Sequence, residues 1–215
     1  MPCCHILLKN LEMPAVTMFL VGMPMKLLKT PGLVHSKPTG ITFTSGATEA
    51  ANLALFGFCE GDRSRGNHII TCKTEHKAIL DSLKALESKD FEVSYLDVDS
   101  EGNINLKELK HANTSKTILV CLMLANNETG LIHPMSEIEK IVHSKKVKLM
   151  SDIPQTVCKI SVNLKEMNLD LAIFSSPKIY GPKGIGAFYI NKKTRWKLIL
   201  MFLVAVRKKD CAPAQ

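Results

Sequence analysis

Long apolar runs are missing from this chain. The longest, Leu198–Val206, has nine residues, against the ~20 that a membrane-spanning helix needs. No membrane partner is expected. Ordered cysteine spacing is missing too. Cys3 and Cys4 are adjacent, while Cys59, Cys72, Cys121, Cys158 and Cys211 are scattered, with no CxxC and no Cys/His pattern. That excludes a disulfide framework and gives no metal site. Thiols in apolar, strand-like settings predict buried structural cysteines and a reducing compartment. Arginine is absent from the first 40 residues, which also hold Glu12. This argues against a mitochondrial transit peptide, and no secretory signal is evident. The expected location is cytoplasmic. Internal repeats and low-complexity segments are absent as well.

What is present is an ordinary globular composition, with 46% hydrophobic and 22% charged residues among 215. That length suits one α/β domain or two small ones. The formal charge is +8, which taken alone suggests nucleic acid or an anionic surface. Its distribution removes that reading. Lys9, Lys26, Lys29 and Lys37 against Glu12 give residues 1–40 a net +3, and residues 194–215 carry +4, leaving +1 for residues 41–193. No nucleic-acid partner is expected. Five of the ten methionines fall within the first 25 residues. The ends differ in kind from the middle.

The middle alternates strand and helix patterns. Strands are predicted at Ile41–Thr44, His68–Cys72, Phe91–Leu96, Thr117–Leu124, Val147–Ser151, Leu169–Ser175 and Ile185–Ile190. Helices are predicted at Ala47–Phe58, Lys77–Ser88, Asn105–His111 and Ser136–Ser144, the last started by Pro134. Short apolar strands alternating with helices predict an α/β fold, a mostly parallel sheet flanked by helices.

Ligands of such sheets bind outside the carboxyl ends of the strands. Five polar clusters fall there: Thr44–Glu49, Thr74-Glu75-His76, Asn126-Asn127-Glu128, Ser151-Asp152 with Gln155, and Ser175-Ser176-Pro177-Lys178. Ser45-Gly46-Ala47-Thr48 could cradle an anion at a helix N-terminus or be a plain cap. A rim lysine such as Lys178 can lose its proton on desolvation and attack a carbonyl, or simply be solvated. Asp152 could pair with a pyridinium nitrogen, cap a helix or sit on the surface. His76 could stack on a ring, carry a proton or be an ordinary rim histidine. Gly181, Gly184 and Gly186 lack Walker spacing and read as a turn into the last strand.

Thr44-Ser45-Gly46-Ala47-Thr48-Glu49, Lys73-Thr74-Glu75-His76-Lys77, Ala125-Asn126-Asn127-Glu128-Thr129-Gly130 and Lys178-Ile179-Tyr180-Gly181-Pro182-Lys183-Gly184-Ile185-Gly186 resemble the cysteine desulfurases. These are pyridoxal 5'-phosphate (PLP) enzymes of the class V aminotransferase group. The resemblance spans about Thr39 to Lys193, in order and with closely matching spacing. It implies that Lys178 holds PLP covalently and that His76 stacks on its ring. Asp152 would partner the pyridine nitrogen and Gln155 the phenolic oxygen. Asn127 would lie near that oxygen and the substrate carboxylate. The Ala47 backbone, Thr48 and Ser175 would contact the phosphate. The implied reaction converts L-cysteine to L-alanine, with sulfur passed to an acceptor or scaffold protein for iron–sulfur cluster or thio-cofactor assembly. Family members are homodimers. Selenocysteine lyase is the sibling alternative.

Several positions depart from that pattern. Pro177 stands where the family has histidine, and Ile153-Pro154 replaces two small residues. None of the seven cysteines matches the persulfide-forming position, so weak or absent turnover is expected. Residues 1–32 and 194–215 do not match in the frame as written. Phe202–Gln215 can be back-translated so that the frame starting at its third nucleotide reads FSGGQEKGLRSGT, like the family's glycine-rich segment. A similar reading exists for Met1–Gly32. The expected organisation is therefore an atypical, frame-shifted segment 1–32, a partial PLP-binding large domain 33–193 and a frame-shifted tail 194–215, without the small C-terminal domain. The competing reading is an inactive fragment or a basic interaction protein.

Overall fold

Strands buried on both faces need helices on both sides, and the chain supplies one after each of its first four strands. The computed structural model describes residues 40–126, 128–157, 159–160, 162–179, 183–191 and 194. Residues 1–32, Asn127 and the tail beyond Thr194 lie outside them.

The strands are β1 (Ile41–Thr44), β2 (His68–Cys72), β3 (Glu92–Leu96), β4 (Thr117–Cys121), β5 (Lys148–Asp152), β6 (Leu171–Ser175) and β7 (Gly186–Ile190). The helices are α1 (Ala47–Asp62), α2 (Lys77–Glu87), α3 (Leu106–Ala112) and α4 (Met135–His143), with a 3-10 turn at Ser176–Ile179. One sheet runs β1-β7-β6-β5-β4-β2-β3. β6, β5, β4, β2 and β3 are mutually parallel, while β7 is antiparallel to both β6 and β1. β1 therefore points the same way as β6.

Side chains alternate across the sheet. Ile69, Leu119, Cys121 and Met150 pack with Leu55 and Phe58 of α1 and Ile79 and Leu83 of α2. Ile70, Val120, Leu122 and Leu149 pack on the opposite face with Leu109 of α3 and Ile138 and Val142 of α4. The helices are thus split between the two faces.

Two boundaries differ informatively from the sequence pattern. α1 runs to Asp62, not Phe58, because Cys59 is fully buried and continues the apolar face. β4 stops at Cys121 although the apolar run continues to Leu124. Its β5 side stays paired, through Leu122 N–H to Met150 O and Leu124 N–H to Asp152 O. On the other side β2 has turned away, and the Glu75 carboxylate accepts from Met123 N–H instead of a strand.

The amino end of the sheet carries a charged knot. Buried Asp170 accepts from His143 Nε2 at 2.9 Å, Lys148 Nζ at 2.6 Å, Thr194 Oγ1 at 3.1 Å and Leu149 N–H at 3.1 Å. His143 Nδ1 meets Glu139 Oε1 at 2.7 Å. The Asp170 hydrogen bond, opposed by partial burial and aided by Glu139, holds the His143 imidazole above its ordinary 6.5. Its stabilisation is complete below about pH 6.5 and is lost as pH rises through the raised folded value. Burial pushes Asp170 upward, but His143 and Lys148 outweigh it and hold the carboxyl below 3.8. That contribution is lost only as acid approaches the lowered value. His143→Gln is therefore expected to cost most stability between about pH 4 and 6.5 and progressively less above. Urea unfolding midpoints against pH check this; a cost independent of pH would contradict it.

Candidate active site

Strand direction builds one polar rim. β1, β2, β4, β5 and β6 all end on the same edge of the sheet, and β7 starts from it. The rim therefore holds residues 44–49, 72–76, 122–126, 151–155 and 175–178, which contain four of the five sequence clusters and the first residue, Asn126, of the other. Asn127 alone among the expected site residues lies outside the described positions.

At one end of the rim, Gly186 is opposite both Thr44 of β1 and Ser175 of β6. A Cβ on Gly186 would sit 2.3 Å from the Gly46 carbonyl carbon and 2.8 Å from Ala47 N. Only glycine lets β7 approach the start of α1 this closely. The N-cap of α1 is Gly46, and no side chain caps the helix. Glu49 instead accepts from Ser45 N–H and Ser45 Oγ, at 2.6 and 2.7 Å. The first-turn amides of a 16-residue helix, with exposed Thr48, thus face the rim beside half-buried Ser175.

In the middle of the rim, Asp152 ends β5. The residue is partly exposed, yet its Oδ1 is sealed from water and has no hydrogen-bond partner among the described residues. Burial pushes this carboxyl up to about 7. Orphaned buried polar atoms are rare and ask for an explanation. A cationic N–H donor arriving from the rim side would supply one.

Glu75 stands across β4 from Asp152 and is 5% exposed. One oxygen accepts from Met123 N–H, while Oε2 has no partner among the described residues. Burial first, and then the Asp152 charge, push it up to about 8. Sequence reasoning placed Glu75 in a rim cluster but gave it no role. Its signal was a lone acid between a buried strand and an apolar helix.

His76 is the N-cap of α2. Its Nδ1 accepts from Ala78 N–H at 3.2 Å, so the neutral ring carries its proton on Nε2, and the side chain is exposed at the rim. Lys178 is exposed on the 3-10 turn after β6, the strand neighbouring β5. Gln155 follows the turn that buried Ile153 starts, and its Oε1 accepts from Lys159 Nζ at 3.4 Å. Pro177 is exposed and offers no donor.

An aminotransferase class-V profile matches residues 29–202. The chain belongs to that family. Within it, the chain is similar to the cysteine desulfurase IscS of Buchnera aphidicola subsp. Baizongia pistaciae, 48% identical over 166 residues covering 77% of this chain and 41% of that protein. It is similar to the solved structure of a NifS-like protein, with a TM-score of 0.74 and 38% identity over 80% of this chain and 49% of that one. A solved structure of SspA in complex with cysteine matches at TM-score 0.75 and 31% identity, over 81% and 50%. The chain spans about two fifths of the length of the curated relative it matches. The class-V fold accounts for the single sheet with helices on both faces. Among the described residues no helix is long and apolar enough to cross a membrane, and no cluster of acidic, His or Cys side chains could hold a metal ion.

Proposed function

We propose that this chain carries the cofactor-binding part of a PLP-dependent cysteine desulfurase. The observation behind the proposal is Asp152 Oδ1, a buried carboxylate oxygen with no donor among the described residues, at the rim of a class-V sheet. A pyridinium N–H fits that oxygen in chemistry and charge. The uncapped start of α1, approached closely by Gly186, fits a phosphate.

When bound, PLP supplies an electron sink for the bonds around the substrate's α-carbon. Asp152 would hold the pyridine nitrogen. The Ala47 amide, Thr48 and Ser175 would hold the phosphate. Lys178 would bind the cofactor through its Nζ and move protons there. His76 would cover the ring, with Nε2 as its free nitrogen. Gln155 would reach the phenolic oxygen, and the resemblance gives Asn127 a place near that oxygen and the substrate carboxylate. Gln155 must exchange its Lys159 contact to do so. The substrate is L-cysteine, which the similar SspA structure contains. The products are L-alanine and sulfur delivered to an acceptor protein.

Turnover by this chain is proposed to be weak or absent. Cys59, Cys72 and Cys121 are all buried. Burial pushes each thiol up, away from the thiolate that must attack sulfur. Pro177 also removes an imidazole donor from the phosphate side.

Titrating the purified protein with PLP tests the proposal. A visible absorption band that survives dialysis is expected, with no sulfide released from added cysteine. A protein that stays colourless overturns the cofactor assignment. Rapid sulfide release would overturn the assignment of weak turnover.

A further inference from the structure

Two consecutive amides at the end of β4 point to opposite neighbours. Met123 N–H reaches the Glu75 side chain, and Leu124 N–H reaches the Asp152 backbone carbonyl. Glu75 and Asp152 therefore flank the same short stretch of chain. Each has one oxygen, Oε2 and Oδ1, buried and unpartnered among the described residues. The groups around them are few. Cys121 of β4 has its thiol pushed up by burial and then by both carboxylates, with Cys59 of α1 behind it. The His76 amide also faces the Glu75 carboxylate. No lysine or arginine is paired with either acid among the described residues.

We propose that Glu75 is a positioning residue that keeps its proton on Oε2, so that Asp152 is the single anion presented to the cofactor's pyridine nitrogen. This rests on the PLP reading above. The logic is charge balance. One pyridinium offers one positive charge to a dry site, and two ionised carboxylates there would leave one of them uncompensated. Glu75 already uses Oε1 to accept from Met123 N–H, so the proton belongs on Oε2. Kept neutral, Glu75 fixes the turn that carries His76 to the end of β4 without competing for the ring nitrogen. With the cofactor bound, Asp152 would carry the negative charge facing the ring nitrogen, and Glu75 would keep its proton. The pair divides one task as other carboxylate pairs do, by holding the two groups in different environments. Burial raises both acids, and Glu75 is placed higher, at about 8 against about 7.

Infrared difference spectroscopy of the full chain without cofactor tests this directly, through the C=O stretch of protonated carboxyls followed against pH. The wild type should titrate in two steps belonging to the pair, the upper near 8. Glu75→Gln keeps the acceptor for Met123 N–H and should delete the upper step. Asp152→Asn should delete the lower one. After loading with PLP, the lower step should disappear from the neutral range while the upper remains. A wild type with no protonated carboxyl above pH 6, or an upper step that survives Glu75→Gln, overturns the proposal. A chain that shows both steps but never binds PLP refutes the cofactor reading and leaves the proton-holding pair standing.

Discussion

Lys178→Ala is expected to abolish the PLP absorption band outright while leaving the fold unchanged. The residue lies on the one-turn 3-10 segment after β6, exposed and outside both halves of the core. Truncating such a side chain costs within about 0.5 kcal/mol of stability. The chemistry has no ready substitute, because lysine is the side chain that forms a stable carbon–nitrogen link to an aldehyde. Lys178→Arg makes the comparison strict. It keeps the positive charge beside the phosphate site but cannot form the link, so it too should give no band. Equal urea midpoints for the three proteins, with colour only in the wild type, are the predicted outcome. A band retained by Lys178→Ala would transfer the role to another amine or remove it from this site.

The largest effect on stability is expected at Gly186. A methyl group there would meet backbone on three sides, with the Gly46 carbonyl carbon at 2.3 Å, its oxygen at 2.5 Å and Ala47 N at 2.8 Å. Flexible side chains can yield to such contacts, but two paired strands and a helix start cannot. Gly186→Ala should cost about 3 kcal/mol or more, at or beyond the top of the usual overpacking range. Part of that cost should appear as weaker PLP retention, since the displaced segment is the start of α1. Gly46→Ala is the matched control. Its added methyl meets nothing within 4 Å, and its backbone is extended. A loss of about 1 kcal/mol or less, the scale of an N-cap change, is expected. Urea midpoints that fail to separate the two variants would contradict the packing at this junction.

Most of the secondary structure was legible because these strands are short, apolar and β-branched between polar breaks. Ile41–Thr44 and His68–Cys72 form over the predicted residues, and the other elements shift by a few positions. The rim clusters were legible for the same reason, since the end of a buried strand is where polarity returns. Strand order was not. Nothing in the apolar pattern of Gly186–Ile190 says that it inserts antiparallel between β1 and β6, because hydrophobicity encodes burial and not partner. Glu75 escaped a role because its partner is a main-chain amide on a distant strand, which carries no side-chain signature. Gln155 was read for its likeness to a family position. Its contact to Lys159 is a local i,i+4 pairing that the sequence spacing permitted. The family resemblance, unlike the local patterns, supplied the chemistry, and the class-V match confirms the family itself.

The place of β7 also has a consequence for biogenesis. Ile41 pairs with Tyr189 and Thr44 with Gly186, so among the described residues the first strand has no partner until the last one exists. During synthesis the parallel strands β2 to β6 can assemble as they emerge. β1, whose Ile41 and Phe43 pack on the core in the finished fold, must wait for β7 until residue 190 leaves the ribosome. Pairings this distant in sequence form slowly, and exposed edges left waiting are prone to capture by other chains. This chain is therefore expected to depend on chaperones early in its life, with its first strand as the segment they hold.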